Sequence, residues 1–201
     1  MPAFSRILFI LALYVTVVLS FGCGIFETRD PEEPGDNANV WNPPSNPRDV
    51  LDNISLAFTL RDGLLYMKSF ARESDSDSAF SFYPDAASSG GDTVFFSSWG
   101  YEQEQAFIMS LFSPDFIPSD SACSFQFTAE SEPPGENMPV YREEYTIIAA
   151  HTHDNLSSVF TGKVDIQFDR NYSGDWVIIN WWDEQTNDNP TLSELKYVIS
   201  N

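Results

Sequence analysis

The alternation of apolar and polar residues in the second half of the chain is the feature that most restricts its fold. Four segments have a period of two, namely residues 125–129, 145–149, 160–168 and 176–182. Side chains that point alternately to the two faces of an extended strand produce this period, so we predict four β-strands. The short connection from Asn171 to Gly174 indicates a hairpin between the last two strands.

Helical spacing of apolar residues precedes the strands. After Asn46 and Pro47, which suit a helix start, apolar residues recur every three or four positions up to Phe58. Further helices are predicted over 64–70, over 100–112 with Ser98 as cap, and after Thr191, which has capping-box spacing to Glu194. Residues 80–82 are a candidate short strand. Helices that precede a run of antiparallel strands are typical of an α+β domain, with the helices on one face of the sheet.

The first 22 residues have the layout of a secretory signal peptide. Arg6 is their only charged residue, and an apolar run from Ile7 to Ser20 leads to small residues before Cys23. An uncleaved membrane anchor is the alternative. The run reaches the roughly 20 apolar residues of a spanning helix only if residues 21–26, which include two glycines, are counted as well.

The segment Leu19–Cys23 resembles the lipobox of bacterial lipoproteins. This resemblance implies cleavage before Cys23 and attachment of diacylglycerol to its thiol. Gly22 fits the small residue at the cut, whereas Ser20 stands where the family usually has an aliphatic residue. Each buried methylene contributes about 0.8 kcal/mol, so acyl chains such as palmitate would anchor the protein firmly to a membrane. Gly24, in place of an aspartate, implies the outer membrane, facing the periplasm or the cell surface.

The rest of the chain divides into a tether and one domain. Residues 23–46 are predicted as a lipidated cysteine and a disordered tether rich in proline and acidic residues, and residues 47–201 as the folded domain. An ordinary signal peptide with an incidental thiol at Cys23 is the alternative. Cys123 is the only other cysteine, so a lipidated Cys23 leaves no internal disulfide.

The charge of the chain restricts its partners. Its 30 acidic and 10 basic residues give a formal net charge of −20. A surface of this kind repels nucleic acid and anionic lipid headgroups, so neither is expected as a partner. A solvated exterior accounts for the charge, and a cationic partner is the less favoured alternative. The expected partners are the membrane, through the lipid anchor, and an envelope protein or a small apolar ligand.

Several motifs resemble a group of uncharacterised bacterial lipoproteins that carry an NTF2-like domain. They are residues 23–34, 43–47 with Val50 and Leu51, 80–85, Trp99 with Glu104, 111–112, the strand 176–183 and the closing helix around Leu195. The resemblance implies a cystatin-like cone, in which N-terminal helices pack on a curved antiparallel sheet of about four strands. It transfers no catalytic residue, because the fold hosts both enzymes and binding modules.

Metal-ligand candidates are confined to His151, His153 and Asp154. Residues two apart on a strand share a face, and imidazole is a good ligand for zinc and other transition metals. The chain contains no other histidine, whereas zinc sites usually use three or four protein ligands. A solvated turn at the end of a strand is therefore the favoured interpretation, and we expect no metal and no other cofactor.

A ligand pocket is the remaining candidate site. On the concave side of a curved sheet, a small apolar ligand would contact the aromatic residues Tyr145, Trp176, Trp181 and Trp182, for which core packing is the alternative. Some members of the resembled fold use a pocket carboxylate as general base. Asp165, the one acid placed well inside a strand, is expected to face outward, so no catalytic residue is assigned. A non-catalytic binding or envelope-assembly module is the favoured function, and a small-molecule enzyme is the alternative.

Overall fold

The computed structural model describes residues 41–87, 94–129, 140–153, 156–186 and 188–201. The predicted signal peptide, the lipidation site Cys23, the tether up to residue 40 and Asp154 lie outside these ranges. Within them the chain forms a five-stranded sheet and four helices, which confirms the α+β class. No helix in the described ranges is both long enough and apolar enough to cross a membrane.

The helices lie close to where the spacing of apolar residues predicts them. They are α1 (Pro47–Leu60), α2 (Gly63–Met67), α3 (Tyr101–Leu111) and α4 (Leu192–Ser200). Asn46 caps α1 through a capping box with Asp49, each side chain accepting from the other residue's backbone N–H. Arg61 adopts a left-handed conformation that ends α1, and Asp62 caps α2, which is shorter than predicted. Gly100, rather than the predicted Ser98, is the N-cap of α3.

The sheet is mixed rather than purely antiparallel. Its strands are β1 (Ser81–Tyr83), β2 (Cys123–Ala129), β3 (Val140–Ala149), β4 (Val159–Arg170) and β5 (Trp176–Gln185), in the order β1-β5-β4-β3-β2. The four predicted strands, β2 to β5, are antiparallel, and β4 and β5 form the predicted hairpin. The expectation of an antiparallel sheet is wrong for β1, which pairs with β5 in parallel. Residues 69–71 already lie alongside β5, since Ile178 N donates to Ser69 O (2.8 Å) and Ala71 N to Ile178 O (2.9 Å), and β1 continues in that direction.

An aromatic core fills the space between the helices and one face of the sheet. The Phe58 ring of α1 lies 5.1 Å from the Phe125 ring of β2, centroid to centroid, and Phe125 in turn contacts Trp181 of β5 at 6.1 Å. The opposite face is polar, with ion pairs such as Arg142–Asp165 and Lys163–Glu144. Burial of large aromatic side chains on one face and charged pairs on the other is what orients the sheet.

The folded unit begins before the predicted boundary at Pro47. Residues 41–46 were expected to end the tether, but they lie against the domain and belong to the same compact unit. Pro44 is buried, its carbonyl accepts from Trp176 N (3.3 Å), and Ser45 O accepts from Trp176 Nε1 (3.1 Å). The backbone and indole N–H groups of Trp176, at the start of β5, thus bind this segment to the domain. The composition of residues 41–46 does not reveal this contact.

Candidate functional site

Among the described residues, three carboxylates lie in the interior of the domain. The relative exposures of Glu104, Glu143 and Asp183 are 0%, 1% and 6%. Asp165 lies on the outer face, as expected, where it accepts two hydrogen bonds from Arg142 (2.7 and 2.6 Å). The interpretation of Asp165 as the one acid inside a strand is wrong, since Glu143 lies in β3 and Asp183 in β5. A buried acid is the starting point for a search for chemistry, because desolvation favours its neutral form.

Asp183 and Tyr145 hold the N-terminus of α4. Tyr145 Oη donates to Asp183 Oδ1 (2.7 Å) and accepts from Leu192 N (2.8 Å), while Asp183 Oδ2 accepts from Ser193 N (2.8 Å) and Ser193 Oγ (2.5 Å). The first N–H groups of a helix lack intrahelical partners, and a negative charge is favourable there. The Thr191 side chain makes no cap hydrogen bond, so these side chains from the sheet replace the predicted capping box.

Glycine at position 162 allows this arrangement. Gly162 is paired with Tyr145 in the neighbouring strand, and a Cβ built on it would lie 2.6 Å from Tyr145 Oη and 2.9 Å from Glu184 O. Both distances are shorter than a carbon atom tolerates. The close approach of the tyrosine to the backbone of β4 therefore requires a residue without a side chain.

The environment sets the protonation of this pair. Burial raises the pKa of the Asp183 carboxyl, although the hydrogen bonds from Ser193 and Tyr145 favour its ionised form. Burial, together with the charge of Asp183, raises the pKa of the Tyr145 phenol well above its usual value, so the hydroxyl keeps its proton and acts as a donor. A carboxyl group with a raised pKa beside a tyrosine is a pair that general acid–base catalysis can use. Here, however, both side chains are hydrogen-bonded to the N-terminus of α4.

A second buried network joins α3 to α4. Lys196 Nζ donates to Glu104 Oε2, which also accepts from Trp99 Nε1 (2.7 Å), and Tyr66 Oη donates to Glu104 Oε1 (2.7 Å). The ammonium group lies 3.8, 5.1 and 5.3 Å from the ring centroids of Phe82, Trp99 and Phe107, respectively. Cation–π attraction and the carboxylate together compensate for its loss of water.

Burial lowers the pKa of Lys196, whereas the Glu104 charge opposes this change. Burial and the same charge raise the pKa of Tyr66 well above its usual value. The third acid, Glu143, accepts a hydrogen bond from Arg48 Nη1 of α1 (3.2 Å), which ties this helix to β3. The interior acids thus connect helices to the sheet or to each other.

The predicted pocket residues lie in different places. Tyr145 and Trp181 are packed in the core, 5.6 and 6.1 Å from the Phe125 ring. Trp176 lies at the start of β5, where the Arg170 guanidinium covers its ring at 4.5 Å. Trp182 points to the opposite face from Trp181. The structure therefore does not bring the four residues together around one cavity.

A β-bulge explains this placement. Gln167 pairs with Asn180 but Phe168 pairs with Ile178, so the register between β4 and β5 shifts by one residue. Strict alternation along β5 places Trp176 and Trp182 on the same face, whereas the bulge reverses the alternation between them. Asp183 faces inward for the same reason, and a sequence pattern alone does not locate the extra residue.

The histidine pair forms a local turn. His151 Nδ1 accepts from His153 N (3.2 Å) and His151 Nε2 lies 3.0 Å from Ser157 O, so both ring nitrogens of His151 are occupied by the backbone. Both imidazole rings pack on Phe116. Across the described ranges, no group of three or more His, Cys, Asp or Glu side chains is placed to hold a metal ion.

A groove of about 870 Å³ lies beside β1, and we call it the β1 groove. Its aromatic lining comes from β1 and the residue before it, from the segment before α3 and from the first residue of α3: Phe80, Phe82, Tyr83, Phe96, Trp99 and Tyr101. Its polar lining includes Arg72, Glu73, Ser97, Ser98, Glu102 and Gln103. Such a concave site with several aromatic and a few polar groups suits a small ligand. The sequence pattern missed it, because its parts are distant in sequence.

Trp182 supports one wall of this groove from the outer face of the sheet. Its ring stacks on the Tyr83 ring, with centroids 5.2 Å apart and an interplanar angle of 8°. The two residues are register partners in β1 and β5. Trp182, which was predicted to line a pocket on the concave side of the sheet, thus contributes to the β1 groove instead. It does so by holding Tyr83, which lines the groove.

The remaining thiol in the domain is not activated. Burial raises the pKa of Cys123 to about 11, against the opposing effect of Arg61. Only the thiolate reacts with alkylating reagents, so in a Cys23→Ala variant at pH 8 we expect iodoacetamide to modify Cys123 on the order of 100-fold more slowly in the folded domain than in denaturant. Mass spectrometry over time measures both rates, and equal rates would contradict the raised pKa of the Cys123 thiol.

Comparison with known proteins adds little to this site. No family model and no curated protein matches the chain. Among solved structures, this chain is similar to a protein of unknown function from Mycobacterium tuberculosis, with 12% sequence identity and a TM-score of 0.46. The match covers 75% of this chain and 81% of that chain. Similarity at this level carries no argument about activity.

Proposed function

We propose that this chain is a lipid-anchored protein of the bacterial cell envelope whose NTF2-like domain binds a ligand and catalyses no reaction. The lipobox-like segment that ends at Cys23 supports the anchor, and the outer membrane is the proposed location. The NTF2-like assignment is supported by helices on one face of an antiparallel β2–β5 sheet, with a closing helix, α4, after its last strand. The proposed partners are the membrane, through the lipid, and a small ligand or an envelope protein.

One observation carries the non-catalytic assignment: in two of the three buried acids, Glu104 and Asp183, both carboxylate oxygens are used inside the protein. A general base must come within about 2.6–3.2 Å of the proton that it removes, directly or through one water. Both oxygens of Glu104 and both oxygens of Asp183 instead accept hydrogen bonds from protein donors, and both residues are buried. The β1 groove, by contrast, is a concave space lined by both aromatic and polar side chains.

The enzyme alternative has one observation in its favour. A polar cleft of about 480 Å³ is lined by Tyr145 together with Thr161, Lys163 and Glu144. Tyr145 contacts Asp183, so this cleft lies near a tyrosine–carboxylate pair. The side chain of Tyr145 is 2% exposed, however, and its hydroxyl already donates to one partner and accepts from another. For this reason we favour the binding module.

Intact mass tests the anchor. Wild-type protein purified from its native membrane fraction is expected to begin at Cys23 and to carry the mass of a diacylglyceryl group and an acyl chain. A Cys23→Ala variant removes the acceptor thiol and should carry neither. Cys123→Ala is the matched control, because it removes the other cysteine and should keep the lipid. A wild-type protein that retains Met1, or that lacks added lipid mass, would exclude the proposed anchor.

A further inference from the structure

We propose that the β1 groove binds a carbohydrate, with a sugar ring stacked on the side chain of Tyr83. This inference rests on the proposed function, since it takes the groove to be a binding site, and it names the class of ligand. A sugar ring has an apolar face of C–H groups and a rim of hydroxyl groups. A binding site needs a partner for each of these two features, and the described residues that line the groove supply both partners.

A rigid aromatic wall provides the partner for the apolar face. Tyr83 and Trp182 are 44% and 36% exposed, which is a large area of aromatic surface to leave in water. Because Trp182 covers one face of the Tyr83 ring, the other face remains for a ligand in the groove that Tyr83 lines. The stack fixes the ring before binding, so little side-chain entropy is lost when a ligand arrives.

The floor of the groove is equally fixed. Trp99 lines the groove and donates its indole N–H to the buried Glu104, and its ring packs on Phe82 with centroids 6.1 Å apart. The Lys196 ammonium lies behind both rings. The polar networks of the interior therefore hold the apolar surface in place, and the floor does not need to rearrange around a ligand.

Polar groups at the rim suit hydroxyl groups. Ser98 contributes a hydroxyl from the segment before α3, and Glu102 and Gln103 contribute a carboxylate and an amide from its first turn. Arg72 and Glu73 contribute charged groups from the loop after α2. These side chains together both donate and accept hydrogen bonds, as a sugar does. The volume of about 870 Å³ is in the upper part of the range for small-molecule sites, which favours a short oligosaccharide over a single sugar.

Two observations separate a sugar from other occupants. A peptide that adds a strand to β1 needs the free N–H groups of this edge, but Phe82 N already donates to Trp99 O (3.1 Å). A polyanionic chain would be repelled by the net charge of −20. The ligand that fits is an uncharged glycan.

The test uses two defined probes, the β-1,4-linked tetrasaccharides of glucose and of N-acetylglucosamine, titrated into the full domain by calorimetry. We expect at least one of them to bind with a Kd below about 1 mM, a weak affinity that suits a shallow site. Tyr83→Ala should weaken binding about tenfold, since the stacking face is lost. Tyr83→Phe keeps the ring and should retain most of the affinity, and Tyr172→Ala removes an exposed tyrosine outside the groove and should change nothing.

Each result decides a separate point. If neither tetrasaccharide binds at about 10 mM, the carbohydrate assignment is wrong. If one binds but Tyr83→Ala, folded by circular dichroism, binds equally well, the site is wrong. If the bound tetrasaccharide is cleaved, as chromatography of the mixture would show, the non-catalytic function fails while the carbohydrate assignment stands.

Discussion

Replacing Lys196 with methionine is expected to lower the free energy of unfolding by about 3–5 kcal/mol. The substitution keeps the apolar part of the side chain but removes the positive charge, which leaves the Glu104 carboxylate inside the domain with only neutral donors, Tyr66 and Trp99. A buried charge without its counter-charge carries most of its desolvation cost. Urea denaturation at neutral pH measures the change.

Two controls distinguish this effect from the loss of any lysine. Lys163→Met removes a partly exposed lysine that is paired with Glu144 (3.0 Å), and it should change stability by less than about 1 kcal/mol. Adding Glu104→Gln to Lys196→Met removes the remaining charge and should restore more than half of the lost stability. If Lys196→Met proves as stable as the wild type, the buried pair does not exist in solution.

Asp183→Asn is expected to have the second largest effect, a loss of about 2–4 kcal/mol. An amide in place of the carboxylate has one accepting oxygen instead of two, so it cannot accept from both Tyr145 Oη and Ser193 N. The N-terminus of α4 then loses a charge-assisted partner in a buried setting. Asp165→Asn is the matched control, because it changes a partly exposed acid of the same type, and it should cost less than about 1 kcal/mol. Thermal or urea unfolding of both variants gives the comparison.

The pH dependence of this difference has a defined sign. Because the pKa of Asp183 is raised above its ordinary value of 3.8, the folded domain holds its proton more tightly than the unfolded chain does. The stability that this proton contributes is complete below pH 3.8 and is lost as the pH rises through the raised pKa. The advantage of the wild type over Asp183→Asn should therefore be larger near pH 4 than at pH 7. An advantage that grows with pH would show that hydrogen bonding outweighs desolvation at this site.

Local signals were enough to predict most of the elements. Asn46 and Pro47 mark the start of α1 because capping and a proline at the first turn depend on neighbouring residues only. The period of two predicts β2 to β5 because each strand has one buried face. The parallel pairing of β1 could not be predicted in this way, since it depends on residues 69–71, which reach β5 through contacts distant in sequence.

The candidate site was harder to predict because its residues come from separate segments. Tyr83 and Trp182 stack only because β1 lies next to β5, and the bulge near Phe168 decides which side chains of β5 face inward. Lys196 is different, since the helical period itself contains the signal. It follows Leu192 by four residues and the buried Ser193 by three, so it shares the buried face of α4 with both. A lysine on an apolar helical face predicts a buried counter-charge.

The Glu104 carboxylate limits how this sequence can vary over evolutionary time. It accepts hydrogen bonds from Tyr66, Trp99 and Lys196, which belong to α2, the segment before α3, and α4. A change at Glu104 leaves three buried donors without an acceptor. A change at any donor weakens the interactions that stabilise the negative charge of the carboxylate. Most single substitutions at these four positions are therefore costly, whereas compensated pairs are not. The positions can drift only as a group, and relatives that lack the acid at 104 should also lack the lysine at 196.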